Sequence, residues 1–186
     1  YENTIGIPVG SSERLFRDSR AKPEFICALT PFITFGGFKE FDEILRTVSS
    51  LKMPDDLISI FKKNGISAMK KVISQIIAGR WIDDSEALLD SYFSDGLNIP
   101  ENFTSAVKKL RNLYPEDPAL MILPFLKLHC MQPGDGLFVG TGMPHCYLSG
   151  MAVEFMPLSE NVIRGGFTQK NIDRERFVEI TNFEKS

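Results

Sequence analysis

Two residues in this chain stand where a metal could be held. His145 ends the turn Gly142-Met143-Pro144 and opens a short apolar stretch, Cys146 to Leu148. Glu24 follows Pro23 at the head of another apolar stretch that runs to Thr30. Proline fixes the backbone dihedral beside each of them. An imidazole and a carboxylate both suit a zinc-like ion, and a histidine on a strand lining a small barrel is a natural ligand. Taken alone, a histidine beside a turn is more often a surface or hydrogen-bonded residue. Two ligands also fall short of the three or four protein ligands usual for zinc. The chain has only two histidines, so the source of further ligands is a central question. The other one, His129, has no motif partner and reads as a non-ligand.

The elements that must position Glu24 and His145 differ in period. From about 38 to 115 the apolar residues recur at helical spacing. Phe38, Phe41, Ile44, Leu45, Val48 and Leu51 form one stripe, and Ile66, Met69, Val72, Ile73, Ile76 and Ile77 a second. Phe103, Ala106, Val107, Leu110 and Leu113 form a third. A shorter helix is expected over Ser85 to Ser94, with Leu88, Leu89, Tyr92 and Phe93 facing inward. Breaks fall at Met53-Pro54-Asp55, Asn64-Gly65, Gly79 and Asn98-Ile99-Pro100, and Tyr114 to Pro118 closes the region. Strands are expected at Pro23 to Thr30, Phe125 to Met131, Leu137 to Gly140, Cys146 to Leu148, Ala152 to Met156 and Phe177 to Thr181. The turn Pro133-Gly134-Asp135-Gly136 punctuates two of them. Glu154, inside an apolar strand, either faces solvent or lines the barrel. The picture is a helical insertion between pieces of a sheet.

Composition narrows the function classes. At 186 residues and 43% hydrophobic the chain can bury a sizeable core. A net charge of −3 supplies no basic surface for nucleic acid or anionic membrane, so neither is expected as a partner. No apolar run approaches the roughly 18 to 20 residues that span a bilayer. Tyr1 to Ile5 shows no basic-then-apolar leader pattern. Three cysteines, Cys27, Cys130 and Cys146, lack paired metal spacing and argue against a disulfide framework. A reducing, cytoplasmic setting is the resulting expectation. Gly140-Thr141-Gly142 begins like a dinucleotide fingerprint but lacks the third glycine and opens no expected helix.

Three ordered segments carry a resemblance. Ala21-Lys22-Pro23-Glu24, Gly142 to Gly150, and Ser159-Glu160-Asn161-Val162-Ile163-Arg164-Gly165-Gly166-Phe167-Thr168-Gln169-Lys170 resemble signature segments of the type I mannose-6-phosphate isomerases. That resemblance implies an α+β fold: part of a cupin β-barrel, or jelly roll, carrying an inserted all-helical domain. The implied divisions are 1–37 for an N-terminal strand segment of the catalytic cupin, 38–118 for the helical insert and 119–186 for the remaining cupin strands. It implies a Zn2+ enzyme interconverting mannose 6-phosphate and fructose 6-phosphate by proton transfer through an enediol. The alternative is a non-catalytic cupin that binds or senses a sugar phosphate.

Residue by residue, Glu24 and His145 match the family's carboxylate and later histidine ligands. Lys22 matches an active-site lysine suited to an anionic oxygen. Tyr147, two residues past His145 and so on the same strand face, matches a tyrosine at the substrate. Arg164 matches the arginine regarded as catalytic, and Lys170 a lysine after it. The resemblance thus implies Arg164, Tyr147 and Lys170 as catalytic and Lys22, Glu160 and Asn161 as substrate-binding. For the general base the order of preference is Tyr147, Lys170, Glu160. The chain departs from the family at Ala21, usually histidine, at Glu160, commonly aspartate, and at Gln169, usually proline. It also lacks the glutamine-x-histidine pair that supplies the family's other two zinc ligands, since Gln75, Gln132 and Gln169 have no histidine two residues on. Those ligands are expected outside this chain. The expected partners are a small sugar phosphate and the remainder of the same enzyme.

Overall fold

A computed structural model describes residues 6–14, 16, 18–94 and 99–183 of the 186-residue chain. Asn98, read above as part of a helix break, and the leader reading at Tyr1 to Ile5 lie outside the described residues. Six strands form two three-stranded antiparallel sheets. They are β1 (Glu24–Ala28), β2 (Phe32–Phe38), β3 (Leu126–Met131), β4 (Gly136–Val139), β5 (His145–Ser149) and β6 (Ala152–Phe155). One sheet has the order β4-β1-β6 and the other β3-β2-β5. Each short connection, β1 to β2, β3 to β4, β4 to β5 and β5 to β6, carries the chain from one sheet to the other. The β5–β6 corner is tight: Gly150 has φ +101°, and a Cβ there would sit 2.4 Å from the Pro31 carbonyl oxygen. Only glycine takes that conformation at low cost.

Strand alternation sorts the side chains. In β1, Glu24, Ile26 and Ala28 are buried and face the second sheet, where Ile26 and Ala28 form a small core with Phe32, Met131 and Val139. The other face of the β3-β2-β5 sheet packs on helices. These are α1 (Phe41–Ser50), α2 (Asp55–Asn64), α3 (Met69–Ile77), α4 (Ser85–Ser91) and α5 (Glu101–Leu113). A 3-10 stretch, Pro118–Phe125, leads back to β3 with Ala119 to Phe125 all buried. Phe35, Phe38 and Leu126 of the sheet share one apolar cluster with Ile44, Leu57, Phe61, Ile73, Ile76 and Leu110 of the helices. α6 (Arg174–Ile180) ends the described fold, capped by the Asp173 carboxylate, which accepts from the Arg176 N–H at 3.0 Å.

The structure differs from the expectations in particulars. Phe177 to Thr181 is not a strand; it belongs to α6 and its C-terminal boundary. The aromatic and β-branched residues Phe177, Val178, Ile180 and Thr181 looked extended, but the Asp173 cap starts a helix there. β2 was not expected, and α2, with buried Leu57 and Phe61 four residues apart, had no stripe of its own. Phe93, Ile66 and Leu113, expected inside, are exposed. Among the described residues no helix is long and apolar enough to cross a membrane.

Candidate metal centre

The cleft between the two sheets gathers chemistry from both. Glu24 enters from β1, where it pairs in register with Val139, and the residue is only 8% exposed. His145 and Tyr147 enter from β5 of the opposite sheet, in register with Gly36 and Thr34. The turn before His145 is pinned, because the Asn182 N–H donates to the Gly142 carbonyl at 2.9 Å. A Cβ on Gly142 would lie 2.6 Å from the Ile180 oxygen, so the close approach of α6 requires glycine there.

Around the Glu24 carboxylate each oxygen has its own partners. Lys22 Nζ donates to Oε1 at 2.8 Å. His145 Nε2 lies 3.4 Å from Oε2, and the Tyr147 hydroxyl is 3.5 Å from the same oxygen. The Tyr147 hydroxyl also donates to Glu154 Oε1 at 2.9 Å. Glu154 stands opposite Ile26 in register, so it faces the cleft rather than the outer surface. His145 Nδ1 sits 3.0 Å from the Met143 carbonyl oxygen. The carbonyl can only accept, so Nδ1 carries a proton; Nε2 then donates to the carboxylate when the ring is protonated and has a lone pair for a metal when it is neutral.

Electrostatics follow from these contacts. The hydrogen bond from His145, then that from Lys22, hold the Glu24 carboxyl down at about 2 against the opposing effect of burial. Burial works against the charged form of His145, but Glu24 and the Met143 carbonyl outweigh it and the net shift is upward. For Tyr147, burial and then Glu154 push the phenol well above its ordinary value. Tyr147 therefore stays protonated near neutral pH and acts as a donor. That argues against the preference for it as base.

The donor set can be tested against zinc. Two ligand atoms at about 2.0–2.2 Å from a tetrahedral zinc lie about 3.3–3.6 Å apart. The 3.4 Å between His145 Nε2 and Glu24 Oε2 matches one such edge. The two residues fit two corners of a site. Among the described residues no group of three or more histidine, cysteine, aspartate or glutamate side chains converges as a metal cluster.

The remaining sequence candidates lie apart from this contact network. Asn161 donates through Nδ2 to the Asp18 and Arg20 carbonyls at 3.1 and 3.2 Å, tying its loop to the segment before Lys22. Its Oδ1 is buried without a partner. Arg164 is half-buried, and its main-chain carbonyl accepts from the Asp173 N–H at 3.0 Å. Glu160 and Lys170 are exposed. The partners shown for Asn161 and Arg164 are thus in neighbouring loops and not in the Glu24–His145 network. His129 Nε2 is engaged with the Gly36 carbonyl at 2.8 Å. Glu154 is the residue that the sequence reading left undecided. Its parity with Ala152 on a strand facing Ile26 was the available signal, and it needed the strand register to be used.

No protein-family profile matches the chain. Curated relatives do. It is 31% identical over 186 residues to the mannose-6-phosphate isomerase of Escherichia coli K12, covering 98% of this chain and 47% of that protein. It is 30% identical to the probable mannose-6-phosphate isomerase of Caenorhabditis elegans, covering 92% and 44%. Among solved structures it matches a zinc-bound mannose 6-phosphate isomerase with a TM-score of 0.80 and 29% identity, over 100% of this chain and 47% of that one. The Salmonella typhimurium enzyme bound to fructose 6-phosphate and zinc matches with a TM-score of 0.78 at 29% identity. The chain is thus similar through its whole fold to mannose-6-phosphate isomerases, and spans about half the length of the curated relatives it matches.

Proposed function

We propose that this chain forms the core of a zinc-dependent aldose–ketose isomerase acting on mannose 6-phosphate and fructose 6-phosphate. Polypeptide outside the chain would supply the other two metal ligands. The observation that supports it most is the 3.4 Å approach of His145 Nε2 and Glu24 Oε2 from strands of opposite sheets. The two sheets are read as part of a cupin barrel, with 38–118 as its helical insert. Glu24 and His145 would hold the zinc, which as a Lewis acid polarises the sugar's carbonyl and hydroxyl oxygens.

The chain's own groups divide the remaining work. Isomerisation moves a proton between adjacent carbons, C2 of the open aldose and C1 of the ketose, through an enediol. A base must take the proton from C2 and return it to C1. Glu24 is held by Lys22 and His145, whereas among the described residues Glu154 has the neutral Tyr147 hydroxyl as its one side-chain hydrogen-bond partner. Glu154 is therefore the carboxylate free to accept the proton. Tyr147, kept protonated by burial and by Glu154, orients that carboxylate and can donate to a substrate oxygen. Lys22 supplies a positive charge at the cleft, where an anionic oxygen or phosphate would be attracted. Arg164 would stabilise charge developing on the enediol oxygens, with Lys170, Glu160 and Asn161 lining the substrate side.

The test measures zinc content and conversion of mannose 6-phosphate in the full-length product of the gene and two variants. Glu24→Gln is expected to lose zinc and activity together. Glu154→Gln is expected to keep zinc and lose about 10²- to 10⁴-fold in turnover. A zinc-loaded wild-type protein that binds mannose 6-phosphate without converting it would overturn the enzyme reading in favour of a sensor.

A further inference from the structure

Arg164 leads a loop that is held from the far end of the helical region. After α5 ends at Leu113, the chain turns through Tyr114 to Asp117 and enters the 3-10 stretch that returns it to β3. Asp117 caps that stretch, its Oδ1 accepting from the Ala119 N–H at 3.0 Å. Its main chain is fixed as well: the Asp117 N–H donates to the Tyr114 carbonyl at 3.2 Å and the Leu120 N–H to the Asp117 carbonyl at 3.0 Å. A cap needs only one side-chain oxygen. The other, Oδ2, accepts from the Phe167 N–H at 2.7 Å, 50 positions along the chain.

Two further contacts press the same loop onto the same place. A Cβ on Gly166 would lie 2.5 Å from that of Ala119 and 2.9 Å from Asp117 Oδ1, so glycine is what lets the loop come this close. The Phe167 ring centroid stands 5.9 Å from that of Tyr114. Phe167 has φ 53°, a conformation that a bulky residue keeps only where its surroundings over-determine it. The Arg164 carbonyl is itself held by the Asp173 N–H, so the backbone from Arg164 to Phe167 is tied at both ends.

We propose that Asp117 is the positioning residue for Arg164. One carboxylate, shared between the cap of the 3-10 stretch and the Phe167 N–H, sets where the guanidinium stands. The inference rests on the reading of Arg164 as the group that stabilises charge on the enediol oxygens. Asp117 itself is engaged with main-chain donors and acts on the reaction through the loop. The role calls for a carboxylate. An amide of the same size offers one acceptor oxygen and turns its NH2 towards the second N–H, so Asp117→Asn keeps the volume and loses one of the two bonds.

Kinetics, metal analysis and hydrogen exchange on the full-length gene product test this. Asp117→Asn is expected to lower kcat by about 10- to 10²-fold, the effect of displacing a reacting group by about 1 Å, with zinc content unchanged. The Phe167 amide is expected to lose about tenfold more protection than the amides of β2, which marks a local release of the loop and not a general loss of stability. Because Asp117 acts through Arg164, adding Asp117→Asn to Arg164→Lys should lower kcat little further. Ile76→Ala, which weakens the core away from the loop, is expected to keep the wild-type kcat. Wild-type turnover by Asp117→Asn, or effects of the two substitutions that multiply in the double variant, would overturn the proposal while Arg164→Lys still shows its own loss. Near-normal turnover of Arg164→Lys would overturn the reading of Arg164, and the proposal with it.

Discussion

Arg164 is placed by its backbone. Its carbonyl accepts from the Asp173 N–H, and the next residue, Gly165, is packed under the Phe177 ring, where a Cβ would come within 2.7 Å. Two residues on, the Phe167 N–H donates to Asp117 at 2.7 Å, and Phe167 itself takes φ 53°, a left-handed conformation uncommon for a bulky residue. The guanidinium makes no hydrogen bond or ion pair with a described residue, so the segment is fixed while the charge is left available. Arg164→Lys in the full-length protein should then lower turnover by about 10²- to 10³-fold with zinc content unchanged. Lysine keeps the charge but not the planar donor fork. Steady-state kinetics beside metal analysis read the outcome, and near-normal turnover would leave Arg164 a turn residue. At this scale the sequence was most legible in placing Glu24 and His145, each beside a proline, at the starts of strands, and the structure brings the two together. Glu154 was illegible because its orientation depends on which residue it faces across β1.

Corners between the sheets carry the alignment of the cleft. The β5–β6 corner places Gly150 against Pro31 and Phe32 of the β1–β2 corner, while the Leu29 N–H donates to the Met151 carbonyl at 2.8 Å and the Met151 N–H to Thr30 Oγ1 at 2.9 Å. Gly150→Ala adds a Cβ against backbone at a φ that disfavours it, so a loss of about 1–3 kcal/mol is expected. Urea denaturation of the 186-residue chain measures it, and an unchanged midpoint would show that the corner can shift freely. Turn residues made β4, β5 and β6 readable to within a residue or two, since Pro133 to Gly136 and Gly150 bracket them. β2 hid for the opposite reason. Phe35 and Phe38 face the same helical core across a bulge at Gly36-Gly37, so the strand never shows a clean alternation. α6 was misread because the β-branched and aromatic residues of Phe177 to Thr181 outweighed a single capping aspartate.

At the scale of the molecule, helical periodicity suggested a separable insert, yet the observed core does not stop at its border. Ile73, Ile76 and Ile77 of α3 belong to the same buried cluster as Phe35 of β2 and Leu126 of β3, joined through Leu120, Leu123 and Phe125 of the 3-10 stretch. Sequence spacing reveals which face of a helix is apolar but not what that face meets, so this continuity was beyond its reach. A shared core should unfold as one unit. Ile76, 1% exposed, offers the probe. Ile76→Ala leaves a cavity in α3 and is expected to destabilise the chain by about 2–5 kcal/mol. Native-state hydrogen exchange should then show the amides of β2 losing protection by the same amount as those of α3, although no sheet residue was changed. If α3 weakens while β2 keeps its protection, the helices form a unit of their own, and the cleft holding Glu24 and His145 draws its rigidity from the two sheets alone.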